Sequence, residues 1–132
     1  MGAWGPGNFE NDDALDWIGD LAESKDGWAL VRSTLTEVAK SDYADAPQSS
    51  TALAAAECVA IGRGRPPGTA APSELSSWCA QHRKGYTEEL RVLALRTVQR
   101  VRAGSELKVL WGESEESDWD DVVGDLERSL ST

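Results

Sequence analysis

The chain has 132 residues, of which 40% are hydrophobic and 27% are charged, and its formal net charge is −10 at pH 7. This length suits one compact domain over residues 1–132, and the composition excludes a disordered chain. No stretch approaches the roughly 18 apolar residues that a transmembrane helix requires, so we expect no membrane partner.

The first two predicted helices follow a short glycine-rich start. Asn11 is typical of a helix N-cap, and the apolar residues after it recur with a helical period. A second helix begins near Trp28 and should end before Pro47, where polar residues accumulate. The inner faces are predicted to consist of Ala14, Trp17, Ile18 and Leu21 in the first helix, and Trp28, Val31, Leu35 and Val38 in the second.

The third and fourth helices are predicted from glycine, proline and serine signals. We expect Ser49 or Ser50 to cap an alanine-rich third helix that ends at Gly62 or Gly64. A short fourth helix begins near residues 72–73 and carries an apolar stripe. That stripe consists of Leu75, Trp78, Cys79 and His82.

The fifth helix, about residues 87–103, has the strongest helical period and is predicted to be the central helix. Residues 107–111 are too short and isolated for a strand and are predicted to form a turn. Ser117 and Asp120 form a capping box before the last helix. The inner faces are predicted to consist of Leu90, Leu93, Ala94, Thr97, Val98 and Val101 in the fifth helix, and Trp119, Val122, Val123, Leu126 and Leu130 in the last. The sequence thus predicts an all-α fold of five to six short helices.

Few residues are suited to metal or catalytic chemistry. Cys58 and Cys79 are predicted to be small core residues that remain thiols, and His82 a packed, hydrogen-bonded residue. These are too few ligands for a zinc site, and the acidic run of residues 113–121 lacks the spacing of a calcium loop. We therefore predict no metal, no other cofactor and no catalytic residue. The start of the chain also lacks the features of a secretory signal, which favours a cytoplasmic location.

The charge is unevenly distributed along the chain. Residues 1–26 carry −6 and residues 113–132 carry −7, whereas residues 83–102 hold six basic residues against two acidic ones. One interpretation is that acidic terminal helices pack beside the basic fifth helix. The other is that an acidic surface steers a basic protein partner, with Asp16, Asp20, Asp121 and Asp125 as the binding residues. Such a surface cannot attract nucleic acid, so no nucleic-acid partner is predicted.

A second candidate site combines the aromatic and glycine-rich start with Glu57. The start has no preceding strand or lysine and is not a phosphate-binding loop. Glu57 lies among apolar residues, and we expect it to be partly buried and paired with an arginine of the fifth helix. The alternative is a pocket for a small ligand or a reaction, formed by Trp4, Asn11, Asp12 and Glu57.

The start of the chain, MGxWGxGxFxNDxAxDW over residues 1–17, resembles a bacterial family catalogued as domain of unknown function number 4259. Later stretches are similar to the same family: ALAAAE at residues 52–57, SEL at 105–107, LW at 110–111, DW at 118–119 and DL at 125–126. The resemblance implies a small bacterial, mostly helical domain, and it implies no catalytic residue.

Two functions follow from these patterns. The first is a non-enzymatic protein-interaction module, such as an inhibitor or immunity-type protein that masks a basic partner such as a nuclease. The second is a small-ligand-binding protein or an enzyme that uses the pocket near Glu57. The chain is expected to be a monomer, or a homodimer that associates through its tryptophan-rich face.

Overall fold

The computed structural model describes residues 7–65, 71–112 and 118–131. Within these ranges the chain is helical, and an isolated bridge pairs Ala44 with Ser105. None of these helices is both long enough and apolar enough to cross a membrane. The helices are α1 (Asp12–Glu23), α2 (Gly27–Ala39), α3 (Ala46–Arg63), α4 (Ser73–Gln81), α5 (Glu88–Ala103), α6 (Glu106–Gly112) and α7 (Trp119–Leu130), with a 3-10 turn at Arg83–Gly85.

The all-α prediction is confirmed, but the predicted number of helices is too low. The difference arises at residues 106–112, which form the short helix α6 where only a turn was expected. Ser105 caps the start of this helix, because its Oγ accepts a hydrogen bond of 3.1 Å from the backbone N–H of Lys108. A serine in this position satisfies a free donor of the first helical turn.

Helix α3 lies at the centre of the fold. Every residue from Ala52 to Ile61 is buried except Glu57, and α3 packs against all six other α-helices. The expectation that the fifth helix is central is therefore wrong, since α5 packs mainly against α2, α3, α6 and α7. The alanine-rich sequence is the physical reason, because small side chains let neighbouring helices approach closely on every side.

The ends of α3 show where helix signals were misinterpreted. Its N-cap is Asp45, whose Oδ1 accepts a hydrogen bond of 2.8 Å from Gln48 N–H, so the prediction of Ser49 or Ser50 is wrong. Pro47 lies in the first turn, where a proline removes no helical hydrogen bond. At the other end Gly64 has φ of +124°, as expected for a glycine that ends a helix.

The predicted inner faces of α1, α5 and α7 are largely confirmed. The four apolar residues of the α1 stripe are buried. The stripe of α5 is buried except for Leu93, which is half-buried, and the stripe of α7 is buried except for Val122, which is also half-buried. Asn11 caps α1, with its Oδ1 accepting a 2.7 Å hydrogen bond from Ala14 N–H. The last helix begins with Asp118 at its N-cap position, while Ser117 lies outside the described residues.

An aromatic cluster joins α2, α4 and the 3-10 turn. The rings of Trp28 and Trp78 lie 5.1 Å apart, and the Trp28 indole donates a 2.7 Å hydrogen bond to the carbonyl of His82. His82 is exposed and not on the inner face as predicted, because α4 ends before it. Its ring stacks on Trp78 at a centroid distance of 4.4 Å.

Candidate functional site

The acidic residues of α7 are largely neutralised inside the molecule. Arg102 of α5 contacts Asp120 at 2.9 Å and Glu127 at 3.1 Å. These hydrogen bonds lower the pKa of Asp120 and raise that of Arg102. Packing of an acidic terminal helix beside the basic fifth helix is therefore confirmed for the C-terminal helix.

The two candidate binding residues of α7 differ in their surroundings. Asp125 contacts Arg65 at 3.0 Å and Arg128 at 3.1 Å, so its charge is already balanced. Asp121 is exposed and has no ion pair among the residues that the structure describes. Of this pair, only Asp121 presents an unbalanced charge to solvent.

Helix α1 carries a different kind of acidic surface. Asp16 and Asp20 are exposed, and the residues one turn before and after them are acidic as well. We call this surface the α1 acidic face, and it consists of Asp12, Asp16, Asp20 and Glu23. Within residues 7–65, 71–112 and 118–131, none of the four forms an ion pair. The reason is packing, because α1 lies against α2, α3 and α4 and away from the basic helix α5.

The structure does not bring the four predicted binding residues into one cluster. Asp16 and Asp20 are neighbours on α1, whereas Asp121 and Asp125 belong to α7. The two helices share α3 as a packing neighbour and have no substantial packing of their own. The α1 acidic face is thus a candidate surface in its own right.

The second candidate site is a polar cluster around Glu57. The Glu57 side chain is only 14% exposed, and it contacts Arg65 at 2.9 Å. Asn8 donates a hydrogen bond of 3.2 Å to its other carboxylate oxygen. Burial raises the pKa of Glu57, and this effect exceeds the opposing effects of Arg65 and Asn8.

The partner of Glu57 is not an arginine of the fifth helix, as predicted, but Arg65 just beyond α3. The backbone N–H of Arg65 donates to the carbonyl of Ala60 at 3.0 Å, across the positive-φ residue Gly64. This arrangement is a common way of closing a helix end. It turns the chain back, and the Arg65 side chain then lies beside Glu57.

Residues that the sequence did not single out complete this cluster. Arg65 donates to Ser129 Oγ at 3.2 Å as well as to Glu57. Asn8 is 5% exposed, and its Oδ1 has no hydrogen-bond partner among the described residues. The glycine at the end of α3 is a signal that could have placed Arg65 near Glu57, whereas nothing in the sequence marks Asn8 or Ser129.

The other residues of the predicted pocket lie apart from Glu57. Trp4 is outside the described residues, and Asp12 is exposed at the start of α1. Asn11 is occupied as the cap of α1 and lines a cleft of about 150 Å³ together with Ser50 and Trp111. At 1.5 Å per residue, Ser50 and Glu57 are separated along α3 by about 10 Å.

A larger cleft, of about 620 Å³, lies along α2 and was not predicted from the sequence. Trp28, Arg32, Lys40 and Leu90 are among its lining residues. Its walls carry charges of both signs, so the cleft favours no single class of ligand. In the described part of the chain, no group of three or more histidine, cysteine or acidic residues is arranged to hold a metal ion.

These features define an acidic all-helical domain built around an alanine-rich central helix. The chain belongs to the family described as domain of unknown function, DUF4259, which matches residues 2–121. No curated protein and no solved structure matches it. The family description names no activity.

Proposed function

We propose that the protein is a non-enzymatic interaction module that binds a basic protein through the α1 acidic face, in the manner of an inhibitor or immunity protein. The observation that carries this proposal is the contrast between α1 and α7. The acids of α7 are largely paired with arginines of the same chain, whereas those of α1 are exposed and unpaired in the described residues.

The spacing of the α1 acidic face supports this role. Asp12, Asp16 and Asp20 follow one another at i,i+4, where like charges repel and destabilise a helix by roughly 0.2–0.5 kcal/mol per pair. A basic partner would relieve this repulsion. A surface of one charge sign also accelerates the encounter with a partner of opposite sign.

Within this proposal the four predicted binding residues contribute unequally. Asp16 and Asp20 supply unbalanced charge directly, and Asp121 adds an exposed carboxylate that forms no ion pair with the residues described. Asp125 contributes least, because Arg65 and Arg128 already balance it. Loss of binding should therefore be larger for substitutions at Asp16 and Asp20 than for substitution at Asp125.

The test is a capture experiment on lysate of the source bacterium with tagged protein at low and high salt. The variant D16K/D20K is compared with E37K/E74K, which changes the net charge equally at two exposed acids outside the α1 acidic face. We expect the wild type and E37K/E74K to retain a basic protein in stoichiometric amount at low salt, and D16K/D20K to lose it. Equal capture by all three proteins, or an empty eluate, would contradict the proposal.

A second candidate function is supported by the cluster around Glu57. The buried amide oxygen of Asn8, which has no partner in the described part of the chain, lies next to a carboxyl group whose pKa is raised. A small ligand with a hydrogen-bond donor would satisfy that oxygen. Thermal-shift screening with small molecules tests this function, because a ligand of this site should stabilise D16K/D20K but not E57Q.

The proposal takes the chain as a single domain that acts in the cytoplasm, as a monomer or a homodimer. Sedimentation equilibrium of the wild type distinguishes the two oligomeric states. A homodimer that dissociates in D16K/D20K would place a second copy of the chain on the α1 acidic face and would overturn the assignment of a basic partner.

A further inference from the structure

The two cysteines of the chain meet in the interior of the protein. The sulfur atoms of Cys58, on α3, and Cys79, on α4, lie 3.6 Å apart. Both residues are almost completely buried, with 0% and 1% exposure. They are separated by 21 residues in sequence, so only the packing of α4 against α3 brings them together.

We propose that Cys58 and Cys79 form a reversible disulfide, made and broken by exchange with small-molecule thiols and disulfides, that fastens α4 to α3. The two thiols are in contact in the reduced protein, so little movement is required to join them. A covalent link across this contact closes a loop of the chain and restricts its unfolded state.

The exchange starts at Cys79, because this residue lies on the short helix α4 and Cys58 lies within the central helix α3. The pKa of Cys79 is lowered by the hydrogen bond with Cys58 and by the charge of Arg83, whereas the pKa of Cys58 is raised. The Cys79 thiolate attacks one sulfur of the small-molecule disulfide, breaks its S–S bond and releases one thiolate. Cys58 then loses its proton and attacks the Cys79 sulfur, releasing the second thiolate. Two protein thiols are oxidised, one external disulfide is reduced, and the two protons pass to the released thiolates.

Burial of both sulfurs means that the reaction requires a local opening of the fold. Helix α4 is the element that can open, because it has nine residues and packs mainly against α3 and α1. Closing the disulfide would suppress this opening. It would also hold Trp78 against Trp28, which forms part of the wall of the larger cleft. The disulfide would therefore couple the redox state to the rigidity of that cleft.

The test measures disulfide formation in the full chain in buffers of defined reduced and oxidised glutathione. Peptide mapping under non-reducing conditions identifies the linked peptides, and the equilibrium constant is determined with and without unfolding concentrations of urea. Because the sulfurs are already in contact, we expect this constant to be roughly a hundredfold larger in the folded protein. An equal or smaller constant in the folded protein would overturn the proposal, and so would links formed only between chains.

Single variants test the order of events. Each variant removes the contact between the two thiols, so its rate depends on where the remaining cysteine lies. Cys79 on α4 in C58S should form a mixed disulfide with glutathione much faster than Cys58 on α3 in C79S. Equal rates in the two variants would contradict the role of Cys79 as the attacking group. The wild-type equilibrium measurement stands independently if either variant folds poorly.

Discussion

The indole nitrogen of Trp17 donates a hydrogen bond of 3.0 Å to the hydroxyl of Thr34 inside the interface between α1 and α2. Thr34 in turn donates to the carbonyl of Leu30 at 2.8 Å, which orients its oxygen toward the indole. Both residues are buried. The helix that carries the α1 acidic face is thus held in place by a polar contact as well as by its apolar stripe.

Replacement of Thr34 by valine should destabilise the protein. The valine keeps the shape of the side chain but leaves the buried Trp17 N–H without an acceptor, at a cost of about 1–3 kcal/mol in the free energy of unfolding. Urea denaturation measures the change. Thr36→Val is the matched control, because the Thr36 hydroxyl donates to the carbonyl of Arg32 at the surface. Equal losses in the two variants would show that the Trp17 contact contributes nothing.

Replacement of Arg65 by methionine should also lower the free energy of unfolding, by about 1–3 kcal/mol. The largely buried carboxylate of Glu57 would then have lost the cation with which it pairs. Arg128→Met is the control, since Arg128 is 73% exposed and its pair with Asp125 should contribute at most about 1 kcal/mol. In the E57Q background the loss caused by R65M should shrink. An undiminished loss there would mean that Arg65 acts through Asp125 or Ser129 instead.

Glu57 should make stability depend on pH in a defined direction. Burial raises its pKa in the folded protein above the ordinary value of 4.5, so the folded state retains a proton that the unfolded chain has released. This contribution to the free energy of unfolding is complete at pH values below the ordinary pKa of Glu57. It is lost as pH rises through the raised pKa that Glu57 has in the folded protein. The wild type should therefore gain stability relative to E57Q as pH falls from about 7 to about 4. Urea titrations of both proteins check this, and a relative loss would show that Arg65 dominates the pKa.

Two glycines of neighbouring helices should respond in opposite ways to alanine. A methyl group on Gly19 meets no atom within 4 Å, so Gly19→Ala should stabilise the protein by about 0.5–1 kcal/mol. A methyl group on Gly27 would overlap the ring of Trp78, and the strain should destabilise by about 1–3 kcal/mol. Thermal denaturation of the two variants shows whether each substitution raises or lowers the stability. A gain in Gly27→Ala would show that the Trp78 ring moves freely.

Much of the fold could be predicted because helical periodicity depends on local sequence. The stripes of α1, α5 and α7 follow directly from the spacing of apolar residues. The position of α3 could not be found in this way, because a helix that is buried on all sides shows no strong contrast between its faces. A sequence rich in alanine weakens that contrast further, so periodicity alone predicts α5, with its clearer period, as the central helix.

The candidate sites were predicted only in part, since their contacts join residues that are distant in sequence. Burial of Glu57 was inferred from its apolar neighbours, but its bond to Asn8 spans 49 residues. Exposure of Asp16 and Asp20 was also inferred correctly. Asp16 and Asp20 form no ion pairs in the described residues because of which helices pack together. The helical period of the sequence does not predict which helices become neighbours.

The α1 acidic face also determines how the protein meets a charged surface. Arg102, Arg65 and Arg128 cancel much of the charge of α7, and nothing comparable cancels the charge of α1 in the described residues. The molecule should therefore have an electric dipole directed through α1, and an anion-exchange resin should hold it in one preferred orientation. Two variants of identical net charge would then elute at different salt concentrations, with D16K/D20K leaving the column before E37K/E74K.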